Sequence, residues 1–441
     1  MYKTNYNSNN IDVLLFVEHK DRELEITCEI ANLLENKYNL QVAIASLIYE
    51  PMSSVFKINS KVVVTPSTAF GNGSAAWIYN TVFGDQVTFV NMNYEQFISS
   101  WKGKYKVPSH EVSINKQKHF VWGNYFLQTL VDGRINKNNV YLTGRPLSTL
   151  IKEKYLNRKE IHRKEISQNL NLDIKKKWYF IALTDGLAFV GEEKIQFIAK
   201  NGGHEKGLRD HIDYVKKTIK EMIIWLDKFE KETLAEDYYF ILRPHPSISS
   251  EQYEKLFNEI IGYIPKNIRI LKDFSAYKWL EASDKYFTNY STLALDAEIL
   301  EKPFYVFKPI LKDMGEDYWW CDSGIELKTY SDFLKSCKSE DEEFINNKVL
   351  NNSFIDFKLD GIMKSAEFIN IFVQKYDKNS YPKVSYLKKL SPFFYNFRRT
   401  FGSFIRLFFI KNNLNLFNVL RAGNIVDYFT NEDIDNIKGK K

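Results

Sequence analysis

Two short stretches concentrate groups suited to holding an anion: Arg243-Pro244-His245-Pro246, and Asn289-Tyr290-Ser291-Thr292 some forty-five residues later. Arginine offers a planar fork of donors to oxyanions, and an imidazole can donate to a phosphate oxygen that leaves with charge. Proline fixes φ and lacks an N–H, so the apolar run 238–242 must stop here, with His245 in a rigid turn. Ser291 and Thr292 follow a strand-like run that includes Tyr286 and Phe287 and precede a helix-like one, where hydroxyls and backbone amides can meet the same anion. The same hydroxyls are ordinary helix caps, a role compatible with facing a ligand. Asp296, one turn on, is placed either to accept from a ribose hydroxyl or to complement the helix dipole.

Carboxylates stand at two other strand exits. Thr184-Asp185-Gly186 ends the apolar run 178–183; Asp185 can serve as base, nucleophile or orienting acceptor, and Gly186 permits close backbone approach to a ligand. Asp-Gly turns are also common as plain turns. Glu18-His19-Lys20-Asp21-Arg22-Glu23 follows the first apolar run, and Glu18, which ends the strand itself, can take a proton from an acceptor hydroxyl. A solvated helix start has the same look. His19 and Glu23 join it as acceptor-side candidates, with Asn124 after Trp122-Gly123 and Arg145 in Thr143-Gly144-Arg145-Pro146. Gly71-Asn72-Gly73-Ser74 matches neither phosphate-loop fingerprint and reads as a connection.

The elements that must position these groups alternate. Continuous apolar runs at 11–17, 41–47, 62–65, 87–90, 120–122 and 140–142 read as buried parallel strands, with a helix over 22–35. A second series, 178–183, 238–242, 268–271, 285–288 and 303–307, includes a long helix over 211–231. Alternation of this kind predicts α/β, doubly wound sheets. The expected organisation is an acceptor-side domain over 1–155, a charged helix and linker over 156–177, a nucleotide domain over 178–378 and a tail over 379–441.

At 441 residues, two domains plus an appendage are expected, and an apolar fraction of 44% is ample for their cores. Three scattered cysteines support neither a disulfide framework nor a zinc site. No signal-peptide core and no membrane-spanning apolar run is visible, so a cytoplasmic protein, soluble or bound at a membrane surface, is expected. Residues 378–426 contain no acid, and Phe393, Phe394, Phe397, Phe401, Phe404 and Phe408 share a helical face opposite Arg398, Arg399 and Arg406. Such a basic amphipathic stretch, 383–411, suits an anionic membrane surface, or else packs on the body of the protein. No nucleic-acid module precedes it, so nucleic acid is not an expected partner.

Taken together, the Glu18-His19 and Arg22-Glu23 cluster, Trp122-Gly123-Asn124, Thr143-Gly144-Arg145-Pro146, Arg243-Pro244-His245-Pro246, and Ser291-Thr292 with Asp296 and Lys302-Pro303 resemble bacterial capsule and lipopolysaccharide glycosyltransferases of the GT-B type. The likeness spans about residues 11–310 and includes Kdo transferases, polysialyltransferases and teichoic-acid glycerophosphotransferases. It implies two Rossmann-like domains facing a cleft, with the nucleotide on the C-terminal domain and a glycan or lipid-linked glycan acceptor approached from the N-terminal one. His245, Ser291 and Thr292 would hold the donor phosphate, with Arg243, Pro246, Gly186 and Asp296 around the nucleotide. A CMP-activated sugar, Kdo or another nonulosonic acid, is the expected donor; CDP-polyol and UDP-sugar chemistry are the alternatives, and a membrane-surface scaffold the non-enzymatic one. A retaining reaction favours Asp185 as nucleophile; an inverting one needs a base, Glu18 or Asp185. Neither a metal nor a cofactor is implied. Two departures stand out: Asp296 where many relatives have Glu, and Glu301 where Gly commonly precedes the Lys-Pro pair.

Overall fold

Apolar runs rich in Val, Ile and Phe become the strands of two sheets in the computed structural model, which describes residues 2–3, 10–47, 58–67, 83–96, 107–184, 186–200, 205–232, 237–245, 248–310, 320–321, 324–339, 354–378, 380–382 and 429–439. The described residues up to 149, with those from 354 onward, form one unit; those from 150 to 339 form the other.

In the first unit, β1 (Tyr2–Lys3), β2 (Asn10–Val17), β3 (Val42–Ser46), β4 (Asn59–Thr65), β5 (Thr88–Asn91), β6 (Lys118–Val121) and β7 (Val140–Leu142) make a sheet of order β1-β3-β2-β4-β5-β6-β7. All pairs are parallel except β1 with β3. Val13, Leu14, Val62, Val63 and Val90 are fully enclosed, as strands covered on both faces require. The chain leaves β2 first to β3 and later to β4 on its other side, so the winding reverses at β2. In such sheets ligand crevices lie at the strands' carboxyl ends beside a reversal of this kind.

The chain then returns, which corrects the expected boundaries. Helix Gly361–Val373 packs on helix Glu25–Asn36, and the last helix, Asn431–Lys438, packs there too, with Asp433 holding Lys20 at 2.7 Å. The second domain thus ends before 354, and the charged terminus is a docked helix. No apolar period distinguishes Gly361–Val373 as belonging to the earlier domain; only its partner face does.

In the second unit, β8 (Lys177–Ala182), β9 (Tyr238–Arg243), β10 (Ile268–Ile270), β11 (Lys285–Thr288), β12 (Phe304–Phe307) and β13 (Ile325–Leu327) are all parallel, in the order β10-β9-β8-β11-β12-β13. Numbered from β8, this is the 3-2-1-4-5-6 order of dinucleotide-binding folds, whose ligand crevice lies at the carboxyl ends beside strand 1. Helix Glu205–Glu232 covers one face, burying Leu208, Ile212, Val215, Ile219, Met222, Leu226 and Phe229 at helical spacing. The charged helix Lys159–Leu170 belongs to this unit and not to a linker. Its Arg163 donates to the Ala282 carbonyl and to Asp284 (both 3.0 Å) and lies over the Trp178 ring.

Lys302 of the Lys-Pro pair works at this same, amino end of the sheet. Its ammonium donates to the carbonyls of Ser283 (2.7 Å) and Glu281 (3.1 Å), the C-terminal carbonyls of helix Ala276–Ala282 and its cap. Burial, with Lys159 nearby, brings it down to about 8. It closes a helix end rather than touching a ligand.

In the first unit, His119 of β6 is fully buried, and its Nε2 faces the Ser113 carbonyl at 2.8 Å. Burial lowers the imidazole from 6.5 to about 4. The unfolded chain therefore binds the extra proton first as pH falls. The native state loses stability between pH 6.5 and 4, by about 3 kcal/mol from this group. Calorimetry across that range should show a shallower loss for His119→Gln than for the natural protein.

Candidate functional site

Beyond Ala182, β8 has no further ladder partners, and its unpaired carbonyl groups need others. Side chains from β11 and its following loop supply them. Thr288 donates its hydroxyl to the Ala182 carbonyl (2.8 Å), and Tyr286 does so at 3.3 Å. Asn289, 1% exposed, then ties the two loops: its Oδ1 accepts the Thr184 N–H (2.9 Å) and the Tyr290 N–H (2.6 Å), and its Nδ2 donates to the Thr184 carbonyl at 3.4 Å. The Tyr290 hydroxyl donates to that carbonyl as well, at 2.9 Å. Behind the loop, Trp320 donates its indole N–H to the Tyr290 carbonyl (2.9 Å), and the buried His211 ring packs 5.2 Å from Tyr290.

Held this way, Ser291 and Thr292 emerge half-buried at the sheet's carboxyl edge. The Ser291 Oγ accepts the Leu293 N–H at 3.3 Å, so part of its capacity is spent on the turn; Thr292 caps helix Leu293–Ile299 without a side-chain bond. That helix has seven residues, too short for its dipole to dominate, which leaves the hydroxyls as the main donors.

Arg243 ends β9 opposite Ala182, on the other side of β8. Its Nη2 donates to the Phe274 carbonyl at 3.0 Å. Phe274 has φ +60°, a left-handed conformation that is strained for a bulky side chain and tends to persist where a site needs it. Pro244 is buried and His245 exposed, and the His245 carbonyl accepts the Ile248 N–H (2.8 Å) to close the turn. With β9 and β11 flanking β8, the ends carrying Arg243 and Thr288 lie roughly 10 Å apart on one edge. The structure thus brings Arg243, His245, Ser291 and Thr292 to the same rim of the same sheet. Gly186 opens a half-buried turn there after β8; Asp185 and Pro246 lie outside the described residues.

Asp296 is 2% exposed. Burial pushes the neighbouring Tyr286 phenol well up, with the Asp296 charge adding to it. A ribose contact would need the carboxylate at the surface, so the structure gives Asp296 an interior position instead.

The acceptor-side candidates divide. Glu18, His19 and Glu23 gather at the carboxyl end of β2, with possible ligand atoms within 4.8 Å of one another. They are the one such His–carboxylate group among the described residues. Glu23 Oε2 already accepts two amides, from Glu18 (2.7 Å) and His19 (3.0 Å), which leaves too few oxygens for a hard cation that wants about six. Asn124 and Arg145 sit three and four strands away, roughly 14 and 19 Å across the sheet. Arg145 is 5% exposed and lies over the Trp122 ring. The returning segment explains both motifs: Asp356 donates its N–H to the Trp122 carbonyl (2.8 Å), and a Cβ on Gly361 would come 2.5 Å from the Arg145 backbone. Gly144 has φ +77° and would meet Leu359 at 2.8 Å. These residues dock the chain's return, a correction to the acceptor-side reading of Arg145; Asn124 is exposed at a helix start. Residues 71–74 and 383–428 lie outside the described residues.

Sequence reasoning named Asn289 and Tyr290 within a motif without giving either a role, and it passed over His211. The available signal was an amide placed directly after an apolar strand, where a buried polar group must have partners.

No family model matches the sequence, and no curated protein is similar to it. Solved structures are similar in fold. A Listeria monocytogenes protein assigned as a UDP-N-acetylglucosamine 2-epimerase is 13% identical, with TM-score 0.52, over 85% of this chain and 100% of its own. The UDP-GlcNAc 2-epimerase from Neisseria meningitidis, solved with UDP-GlcNAc, is 13% identical with TM-score 0.50, over 83% of this chain and all of its own. The wall teichoic acid polymerase TagF is 14% identical with TM-score 0.51, over 82% of this chain and 89% of its own. The chain has the GT-B fold: two Rossmann-like α/β domains.

Removing the Asn289 amide leaves the Thr184 and Tyr290 N–H groups buried without it, a loss of about 1–3 kcal/mol for each unsatisfied group. Asn289→Ala should therefore lower the unfolding temperature, read by scanning calorimetry, while the circular dichroism of the folded protein is unchanged.

Proposed function

We propose that this protein is a GT-B glycosyltransferase that moves a sugar from a nucleotide-activated donor to a bacterial surface glycan, on the cytoplasmic face of the membrane. The observation that carries the reading is the meeting of Arg243, His245, Ser291 and Thr292 at one rim, on the strands that flank β8. A departing nucleotide gathers negative charge on its phosphate oxygens. A guanidinium, an imidazole and two hydroxyls fixed beforehand stabilise that charge without reorganising. His245 donates to the phosphate oxygen as the bond to the sugar breaks, and Arg243 balances the charge. No metal or cofactor is required by this scheme. The acceptor hydroxyl loses its proton to a carboxylate, Glu18 in an inverting reaction; Asp185 is the nucleophile if configuration is retained.

A CMP-linked nonulosonic acid such as Kdo remains the favoured donor, on the His-Pro and Ser-Thr motifs. The second reading, a CDP-polyol phosphotransferase, gains support from the fold likeness to TagF. A thermal-shift panel of CMP, CDP, UMP and UDP separates cytidine from uridine donors, because a ligand of the native state raises its stability by mass action. Examining the product for a phosphodiester then separates the two cytidine chemistries. His245→Ala should cut turnover by about two to three orders of magnitude with an unchanged unfolding temperature. Normal glycan assembly in that variant would instead favour a scaffold.

No helix among the described residues is long and apolar enough to cross a membrane. Membrane attachment is assigned to residues 383–411 by their basic, aromatic pattern. Each arginine near an anionic surface contributes about 1 kcal/mol. Replacing Arg398, Arg399 and Arg406 with Ala should weaken sedimentation with phosphatidylglycerol vesicles roughly 100-fold and leave binding to neutral vesicles unaltered.

A further inference from the structure

Between β2 and its helix the chain takes a wide π-type turn, Lys20–Leu24, a distortion frequent at functional positions. Here it aims Glu23 back over the strand end, where Oε2 accepts the N–H groups of Glu18 and His19. A carboxylate that only capped a helix start would lie in water, where its charge is hydrated. Glu23 is 3% exposed instead. The groups that face it are few. Its neighbour Arg22 is held by Glu95 at 2.8 Å, while Tyr94, from the segment after β5, Glu18 and His19 are half-buried. Burial outweighs the amides, His19 and Arg22, and raises the Glu23 carboxyl to about 7.

We propose that Glu23 is the positioning residue of an acid–base unit, Glu18–His19–Glu23, that takes the proton from an acceptor hydroxyl at the carboxyl edge of β2; this rests on the transferase reading above. The acceptor O–H bond breaks and its proton passes to Glu18. The oxygen's electron pair forms the new bond to the donor carbon, whose bond to the phosphate oxygen breaks, and that pair leaves with the phosphate. Glu23 stays off the substrate. Its ionisation places a negative charge beside Glu18 and strengthens it as a base. The same ionisation works against the fold, because a carboxyl raised in the native state loses its stabilising share as pH rises through its native value.

Glu23→Gln keeps an oxygen for both amides and removes the ionisation. Unfolding temperature is measured between about pH 5 and pH 9 for the natural protein, Glu23→Gln and Glu18→Gln. Release of nucleotide from CMP-Kdo and CDP-glycerol is followed over the same range. The natural protein should lie closest to Glu23→Gln at the acid end, fall progressively below it as pH rises towards 7 and hold that deficit at higher pH, while its rate rises through an acidic limb near 7. That limb should vanish in Glu23→Gln, at a lower plateau. Glu18→Gln should lose rate and keep the stability pattern of the natural protein. Parallel stability curves, or an acidic limb that persists in Glu23→Gln, would overturn the proposal, as would loss of activity to EDTA restored by Mg²⁺ or Mn²⁺. If the stability curves diverge but neither donor turns over and no nucleotide stabilises the protein, the transferase reading fails while Glu23 stands as a buried titrating group.

Discussion

A parallel strand has no ladder partners past its own end, and the second unit of this chain is organised around the point where β8 stops. Its last carbonyl and the following Thr184 are claimed by side chains of β11 and the loop after it: Thr288, Tyr286, Asn289 and Tyr290. These bonds satisfy groups that would otherwise be buried and orphaned, worth more in avoided desolvation than as net attraction. They also fix the loop that carries Ser291 and Thr292. One set of bonds therefore serves the sheet and the rim. The winding reverses at β8, the position in such sheets beside which ligand crevices lie.

The opposite end of that sheet shows the same chemistry used for closure. Arg163, Lys159, Asp284 and Lys302 meet there around helix Ala276–Ala282. Lys302 answers helix carbonyls, Arg163 stacks on Trp178, and Asp284 also accepts the Trp178 N–H at 2.7 Å. Cations and carboxylates are as dense here as at the rim, yet nearly every one is consumed by backbone or by its opposite charge. Residue type alone does not tell a binding edge from a structural one; the strand direction does, because ligand crevices open at carboxyl ends.

That distinction explains what could be read from the chain. Fully apolar strands announce themselves, and β7 and β11 have the bounds their runs imply. The short β13 has two exposed residues out of three, so no apolar run marks it. The rim motifs were legible because a proline pair and a hydroxyl pair interrupt apolar strands abruptly. Thr143-Gly144-Arg145-Pro146 interrupts a strand just as abruptly, but its cause lies some 210 residues away, in the segment around Asp356–Gly361 that packs on it. A return of the chain to an earlier domain leaves no local mark. Asn289 was hidden for a different reason: its work is done by hydrogen bonds to a loop a hundred residues back, which no periodicity encodes.

Two desolvated carboxylates, one half-buried and one buried, show how the fold separates support from chemistry. Asp284 is desolvated, but Lys159 and Arg163 more than offset this and hold it below the ordinary carboxylate range. Its charge is settled at any physiological pH, and removing a partner would chiefly cost stability. Glu23 is desolvated more than its two amides, His19 and Arg22 offset, and it comes to rest near neutrality. An ionisation left close to balance is a poor device for holding a protein together, since it weakens the native state over the pH range where cells operate. It is a good device for moving a proton, because neither form is strongly preferred. A π-type turn that buries such a group at the reversal of a doubly wound sheet is therefore better explained by reactivity than by packing.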